Sequence, residues 1–151
     1  MSAFVPQDPA FAARVRASFS RQAVMATLGA TLESVEPGAV QIRLPFRADL
    51  TQQHGFLHAG VMTAVVDSAC GYAALSLMPP GAGVLSIEFK VNLLAPGEGE
   101  AVVARGRVLR PGRTLMVAAG DVFALKGGAE RLVATMLATL MVVRDRPGIA
   151  D

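Results

Sequence analysis

One continuous apolar segment, residues 59–76, is the clearest structural signal in the chain. Alanine, valine, methionine, leucine and cysteine fill nearly every side of a helix built from it, so that helix should be buried all round. The turn Pro79-Pro80-Gly81 then ends the pattern. The sequence therefore predicts a long helix enclosed by the remaining elements.

Strand patterns lie on both sides of the predicted helix. Residues 27–35 and 39–46 indicate a hairpin about Pro37-Gly38. Residues 84–94 alternate between apolar and polar side chains, which is typical of a half-buried strand. The alternation predicts two faces, an apolar one with Leu85, Ile87, Phe89, Val91 and Leu93 and a polar one with Ser86, Glu88, Lys90 and Asn92. Turn signals separate three further strands, at 100–109, 114–125 and 130–143.

This order of elements favours an α+β fold. A six-stranded antiparallel sheet that curls around the long central helix would bury all the apolar faces. Apolar residues spaced four apart, Phe11, Val15 and Phe19, predict a short N-terminal helix. The predicted single domain, residues 1–151, comprises an N-terminal helical segment (1–24), a core (25–143) and a short tail (144–151).

Composition adds the expectation of an oligomer. The chain has 151 residues, of which 52% are hydrophobic and 17% charged, so it is long and apolar enough to fold around a core. The apolar fraction exceeds what a monomer of this size hides, and we expect surface buried against a second copy. A charge in the middle of the apolar segment, Asp67, argues against a membrane span. The first residues lack the pattern of a secretory signal, so the expected location is the cytoplasm.

Several functional classes are disfavoured by the residue inventory. A net charge of +2 and 5% aromatic residues give little support to nucleic-acid binding. The one cysteine, Cys70, excludes a disulfide framework and is expected to be a packing residue. No metal-ligand spacing and no glycine-rich phosphate loop occurs, so we expect neither a metal nor a cofactor. The two histidines are clustered in one loop, and no Gly-x-Ser-x-Gly motif supports a serine triad.

Asp67 is the first candidate catalytic residue. It is the only formally charged side chain between Gly55 and Ile87. A carboxylate in apolar surroundings is costly unless it is hydrogen-bonded, ion-paired or exposed to water, and any of these would make it structural. No lysine or arginine lies within a helical turn or two of it, which favours a role as general base or nucleophile.

The second candidate site is the entry to the long helix, Gln52 to Gly60. His58 occupies the expected N-cap position, and the amides of Ala59 and Gly60 should point out of the helix as free donors. Such donors suit an oxyanion that develops on a carbonyl. Gly55 and Gly60 permit close approach of a ligand to the backbone.

The spacing of these two candidates has a geometric consequence. Ala59 and Asp67 are eight residues apart, about 12 Å along a helix. A reacting carbonyl must lie about 3 Å from both the oxyanion donor and the attacking group. If both residues serve one reaction, they must come from different subunits.

Four arginines within nine residues form a basic cluster. Arg105 and Arg107 share one strand face and are expected to be solvated, whereas Arg110 and Arg113 flank the turn Pro111-Gly112. A phosphate could be held at that turn.

Together these segments resemble a hotdog-fold acyl-CoA thioesterase of the phenylacetic-acid-degradation (PaaI-type) group. The resemblance covers residues 25–143. It depends on Gln52-x-x-Gly55-x-x-His58-Ala59-Gly60 followed by Asp67, on the segment from Ser86 to Gly97, and on the segment from Val108 to Arg113.

The resemblance implies a role for each matching residue. Asp67 would be the nucleophile or the general base for water, and the Ala59 amide would be the oxyanion donor. Gln52 would orient water or the thioester, His58 would support the thioester carbonyl, and Ser86 would lie near the attacking water. The substrate-binding residues would be His54, Gly55, Gly60, Arg110 and Arg113, the two arginines at the CoA phosphates. Ala59 stands where many relatives have glycine, and Gln52 replaces the commoner asparagine.

The sequence thus predicts a hydrolase of an aryl- or alkyl-CoA thioester, with no cofactor besides the CoA of its substrate. The family further implies a dimer with shared sites, assembled into a homotetramer. Met62, Leu75 and Met78 are expected to line the cleft for the acyl group. Two alternatives remain: a non-catalytic acyl-CoA-binding or regulatory protein, and a hotdog enoyl-CoA hydratase or dehydratase.

Overall fold

A long buried helix lies against the inner face of a curled, six-stranded antiparallel sheet. The computed structural model describes residues 4–151. In chain order the elements are α1 (Phe11–Arg21), α2 (Ala23–Leu28), β1 (Thr31–Glu36), β2 (Ala39–Pro45), a 3₁₀ turn (Ala48–Leu50), α3 (Ala59–Leu75), β3 (Gly83–Leu93), β4 (Ala101–Arg110), β5 (Leu115–Lys126) and β6 (Ala129–Val143). The strands are ordered β1-β2-β4-β5-β6-β3. The expected α+β hotdog fold is confirmed.

The N-terminal segment differs from its prediction. Thr27 and Leu28, expected to begin the first strand, form the end of helix α2 instead, and the helical segment extends to Leu28 rather than to residue 24. Gly29 ends this helix with φ 75°, a left-handed conformation that glycine adopts without steric cost. Strand β1 therefore begins at Thr31, four residues later than the hairpin predicted from the sequence.

Two paired glycines allow helix α3 to contact the backbone of the sheet. Gly106 on β4 is opposite Gly120 on β5. A Cβ atom at Gly106 would lie 2.3 Å from the carbonyl carbon of Ala69, and one at Gly120 would lie 2.7 Å from the Cys70 sulfur. Any side chain at either position would push the helix away from the sheet, so this pair fixes the depth at which α3 sits.

Strand β3 contains a β-bulge that interrupts its alternation. Ser86 is opposite Leu140 and Glu88 is opposite Thr139, so Ile87 is the extra residue. The predicted single apolar face is therefore wrong. Leu85 lies on the outer face of the sheet, whereas Phe89, beyond the bulge, lies on the inner face. Because of the bulge, Ser86 also lies on the inner face, next to α3.

β3 is an edge strand with exposed apolar side chains. Leu85, Ile87, Phe89 and Leu93 are 40–50% exposed, and one side of the strand makes no ladder in the described chain. A long apolar edge of this kind is normally covered by another strand. This edge provides the apolar surface that the composition led us to expect. No helix within residues 4–151 is long and apolar enough to cross a membrane.

Arg14 connects helix α1 to the end of α3. Its guanidinium donates to the carbonyl oxygens of Leu75, Met78 and Pro79 at 3.0, 2.8 and 2.7 Å. Asp8 lies 3.4 Å from the same group, and both side chains are 10% exposed. The arginine thus satisfies carbonyls that a helix end leaves without partners.

Replacing Arg14 should destabilise the fold markedly. We expect Arg14→Met to lower the free energy of unfolding by about 3 kcal/mol, because it leaves three carbonyls and a carboxylate without their charged donor. Urea denaturation at fixed protein concentration measures the change. Arg16→Met is the control, since Arg16 is exposed; equal stability of the two variants would contradict the role assigned to Arg14.

Candidate active site

The N-terminus of α3 presents one free backbone amide. His58 is the N-cap, as expected, and its Nδ1 accepts the Gly60 N–H at 2.8 Å. Gly60 therefore does not offer the free donor that the sequence suggested. The Ala59 N–H has no hydrogen-bond partner among residues 4–151, and it points out of the helix. Since Nδ1 accepts this hydrogen bond, Nε2 is the ring nitrogen that is left to donate to a ligand.

The loop before α3 is held in place by backbone hydrogen bonds. The Leu57 N–H donates to Gly97 and the His58 N–H donates to Leu50, both at 2.9 Å. Gln52 folds over the loop, where its Oε1 accepts the His54 N–H. Its Nε2 has no partner in the part of the chain that the structure describes, so this amide remains available to a ligand.

Gly55 and His54 form the tip of this loop. Gly55 has φ 82°, in the left-handed region, and donates its N–H to the Gln52 carbonyl at 3.0 Å. The space around its Cα is open, since a Cβ built there would meet no atom within 4 Å. His54 is exposed beside it. The structure thus brings together Gln52, His54, Gly55, His58, Ala59 and Gly60.

Asp67 and Ser86 are in contact at a second location, away from the N-terminus of α3. The Ser86 hydroxyl donates to Asp67 Oδ1 at 2.7 Å, a contact that requires the bulge at Ile87. Asp67 is half-buried, and it forms no ion pair with any residue between 4 and 151. Its second carboxylate oxygen is free to face a water molecule or an electrophilic carbon.

The loop at the N-terminus of α3 and the Asp67–Ser86 pair are separated by about two turns of the helix. Helix α3 runs without a break from Ala59 to Leu75, so the Ala59 amide and Asp67 are about 12 Å apart along its axis. One carbonyl group cannot contact both within a single chain. The structure therefore has the separation between the Ala59 amide and Asp67 that their spacing in the sequence predicted.

A cleft of about 400 Å³ opens beside Asp67 and contains residues that the sequence did not indicate. Its walls come from the end of α1, one side of α3 and the start of β3. The lining residues are Ser18, Arg21, Gln22, Asp67, Ser68, Gly71, Tyr72, Val84, Leu85, Ser86 and Asp151. Most of these side chains are polar, and several come from distant parts of the chain. No pattern in the sequence pointed to Gln22 or Asp151.

The predicted acyl-binding residues are wrong. Met62, Leu75 and Met78 are 3%, 0% and 0% exposed, and all three belong to the hydrophobic core. All three are part of the core around α3 and the turn after it, and none of them lines the cleft beside Asp67.

The arginine cluster is divided between two environments. Arg105 forms a bidentate pair with Glu130 and stacks over Phe123, and Arg107 pairs with Asp121 at 2.8 Å. These two therefore belong to a paired, exposed face, as expected.

Arg110 and Arg113, at the turn after β4, form no ion pair with residues 4–151 and are exposed. Arg144 lies next to them and donates to the Arg113 carbonyl at 3.4 Å. A pocket lies between Arg113 and Arg144, and Thr114 and Val142 complete its lining.

Cys70 is one helical turn beyond Asp67 and is fully buried. Burial raises the pKa of its thiol to about 12, and the negative charge of Asp67 adds to this effect. A thiol in this state is a poor nucleophile. Within residues 4–151 no group of three or more His, Cys, Asp or Glu side chains is arranged to hold a metal ion.

Known proteins resemble this chain in sequence and in fold. The profile of the thioesterase superfamily matches residues 54–130. A thioesterase family protein from Silicibacter pomeroyi has a crystal structure that is 55% identical in sequence, with a TM-score of 0.88. The match covers 89% of this chain and 98% of that one.

Two further proteins are more distant. Human acyl-coenzyme A thioesterase 13 is 30% identical over 92 residues, which are 60% of this chain and 65% of the human protein. The Escherichia coli PaaI protein, from the phenylacetic acid degradation operon, is 19% identical with a TM-score of 0.78. The match covers 87% of this chain and 91% of the PaaI chain. At this level of identity it supports the fold alone.

The state of Cys70 can be tested by alkylation. With a pKa of about 12, about one thiol in ten thousand is ionised at pH 8. We expect iodoacetamide to leave the native protein unmodified, and to modify one site per chain after unfolding in urea. Mass spectrometry gives the stoichiometry; rapid labelling of the native protein would contradict the burial described here.

Proposed function

The chain belongs to the thioesterase superfamily and is a thioester hydrolase, and we propose that it hydrolyses an aryl- or alkyl-CoA thioester to the carboxylic acid and free CoA. The observation that carries this proposal is the environment of the Asp67 carboxylate. It is a half-buried carboxylate without a cation partner in the described chain, and one of its oxygens is held by Ser86. Such a group is suited to act on a thioester carbon or on a water molecule beside it.

The reaction needs an attacking group and an oxyanion donor on one thioester carbonyl. Asp67 either attacks the carbonyl carbon itself or takes a proton from a water that attacks. The carbonyl oxygen gains negative charge, and the Ala59 N–H at the N-terminus of α3 stabilises it. Collapse of the intermediate breaks the carbon–sulfur bond. In the general-base route, the CoA thiolate takes back the proton that Asp67 removed from water, and the carboxylic acid is formed directly. In the nucleophilic route, the thiolate takes a proton from solvent, and a water molecule then hydrolyses the mixed anhydride between the acyl group and Asp67. Gln52 and His58 position the thioester in both routes.

The complete site requires two copies of the chain. Ala59 and Asp67 are too far apart in one chain, so we place the Ala59 amide of one subunit opposite Asp67 of the other. The exposed apolar edge of β3 supports this arrangement, because pairing of two such edges would cover it. The same edge carries Ser86, which donates to Asp67, so a subunit contact along this edge would lie beside Asp67.

The anionic end of CoA has a candidate binding surface at the turn after β4. Arg110, Arg113 and Arg144 are exposed and form no ion pairs within the described chain. Arginines without carboxylate partners retain their donors for phosphate oxygens. We propose that these residues hold the phosphates of CoA.

Asp67 is tested by the isosteric variant Asp67→Asn. We expect kcat to fall by about 10²- to 10⁴-fold with little change in stability, because the amide can neither attack nor accept a proton. Release of free thiol from a panel of acyl-CoA esters measures the activity. Asp49→Asn is the control, since Asp49 is exposed and pairs only with Arg47. Unchanged turnover in Asp67→Asn would refute the proposed mechanism.

The oxyanion donor is tested by Ala59→Pro. Proline is well tolerated at the first position of a helix, and His58 before it has the extended conformation that proline requires. The variant therefore loses the N–H while the helix is retained. We expect kcat to fall by about 10²- to 10³-fold.

The shared site is tested by mixing these two variants. A dimer of one Asp67→Asn chain and one Ala59→Pro chain contains one intact site, formed by the Asp67 of one chain and the Ala59 amide of the other. Coexpression with two tags isolates this mixed dimer, which should recover about half the wild-type rate by the symmetry of the assembly. A mixed dimer as inactive as its parents would show that both groups act within one chain.

A further inference from the structure

The open edge of β3 carries two charged side chains of opposite sign, Glu88 and Lys90. Both are exposed, and neither forms an ion pair with any residue between 4 and 151. Glu88 accepts the Thr139 hydroxyl through its Oε2 at 3.3 Å, a contact that leaves its charge uncompensated. Both charges therefore remain available to a partner at this edge.

The backbone of β3 determines which of its residues can bond a second strand. Leu94 follows β3 directly, and its N–H donates to the Val133 carbonyl of β6 at 2.8 Å. Backbone groups of successive residues in a strand point to alternate sides, so those of Glu88 and Lys90 also point to β6. The N–H and C=O of Phe89 then point to the open edge, where both are available to an added strand.

Two identical edges that pair antiparallel are related by a two-fold axis, which limits their register. The residue on the axis lies opposite its own copy, and residues equally far before and after it lie opposite each other. Residues directly opposite each other must share a face of the sheet, so the axis passes at a residue rather than between two. The register is thus defined by naming that residue.

Only one register places opposite charges across from each other. With the axis at Phe89, each Glu88 lies opposite the partner subunit's Lys90, and two ion pairs form. With the axis at Glu88 or at Lys90, like charges lie directly opposite each other, which destabilises the pairing. Any other axis leaves both charges opposite uncharged side chains.

The geometry at this axis favours both the charged and the aromatic contacts. The two Phe89 residues would form a hydrogen-bonded pair, because their backbone groups face the open edge. The Glu88 and Lys90 residues would form non-hydrogen-bonded pairs, in which the Cα atoms are about 4.5 Å apart and the side chains are closest. The Phe89 side chain is 43% exposed, and its copy on the same face would cover it.

An antiparallel pair also brings the two halves of the site toward each other. The Leu57 N–H donates to the Gly97 carbonyl at 2.9 Å, which holds the loop before α3 just beyond the end of β3. Ser86 holds Asp67 near the start of the same strand. Antiparallel pairing places the start of one β3 near the end of the other, so Asp67 approaches the partner subunit's Ala59 amide.

On the basis of the proposed function, we propose that two copies join their β3 edges with the axis at Phe89, and that the reciprocal Glu88–Lys90 ion pairs select this register. Both are positioning residues: they determine where the oxyanion donor of one chain lies relative to the carboxylate of the other. Moving the axis by one residue displaces one strand by two residues relative to its partner, about 7 Å. That displacement would separate the two halves of the site.

Disulfide cross-linking reports the register directly. With the axis at Phe89, we expect diamide to cross-link Phe89→Cys chains to each other, because opposite Cα atoms in such a pair are about 5.5 Å apart. Val91→Cys is the control and should stay uncross-linked, since it lies four residues from its own copy along the ladder. Cys70 does not interfere, because it is buried. Non-reducing gel electrophoresis gives the yield.

A second pair of variants covers the case in which Phe89→Cys does not fold. Glu88→Cys and Lys90→Cys chains are coexpressed with two tags, and the mixed dimer is isolated. It places the two cysteines opposite each other and retains one Glu88–Lys90 ion pair. We expect it to cross-link as well.

Charge reversal tests whether the ion pairs select the register. Glu88→Lys and Lys90→Glu each place like charges opposite each other twice, so each should raise the dimer dissociation constant by about 10- to 100-fold. The double variant Glu88→Lys/Lys90→Glu has attractive pairs with the signs exchanged, and it should regain wild-type association and activity. Arg131→Glu is the control, because Arg131 is exposed and away from β3. Sedimentation velocity measures association, and thiol release at low protein concentration measures activity.

The results separate this proposal from the proposed function. A disulfide through Val91→Cys, or none through either Phe89→Cys or the mixed dimer, overturns the register. Unchanged association in both single reversals, or a double variant no better than the singles, overturns the role of the charges. The expected cross-links with no thiol release from any acyl-CoA ester would instead overturn the proposed function and leave the strand pairing in place.

Discussion

The contact between helix α3 and the sheet at Gly106 and Gly120 determines where everything else in the molecule lies. With no side chains between them, the helix backbone at Ala69 rests directly on β4, and Val66 and Cys70 occupy the space over β5. This depth and rotation turn a different side of the helix, with Asp67 and Gly71, toward α1 and β3. A rigid helix held at its middle also fixes the positions of its N-terminal amide and its carboxylate relative to each other.

The apolar character of the chain serves two purposes that the structure separates. The side chains of α3 and the inner face of the sheet form one buried core, which needs no partner. The apolar residues of β3 are different, because they lie on an edge that the chain itself leaves open. That edge adjoins the residue that holds Asp67. Stability thus draws on one part of the hydrophobic content, and the proposed two-chain site would draw on the other.

Local periodicity explains which features the sequence predicted. The long helix, its N-cap at His58 and the separation of Ala59 from Asp67 follow from the regular geometry of an α-helix. The cleft wall depended on contacts between distant segments: Ser68 reaches Gln22 across 46 positions, and Val84 reaches Asp151 across 67. No local pattern encodes such pairs. Methionines and leucines near the site suggested an apolar pocket, but a helix enclosed by a sheet uses those residues for its core.

The bulge in β3 shows that a residue can matter through its presence rather than its identity. Ile87 has no partner across the ladder, and half of its side chain is exposed. As one additional residue it changes the phase of the strand, so that Ser86 faces inward while the rest of the ladder keeps its register. Deleting this position would turn the hydroxyl outward with every neighbouring side chain unchanged in type. The information carried here is a count of residues, which comparisons of side-chain chemistry alone do not detect.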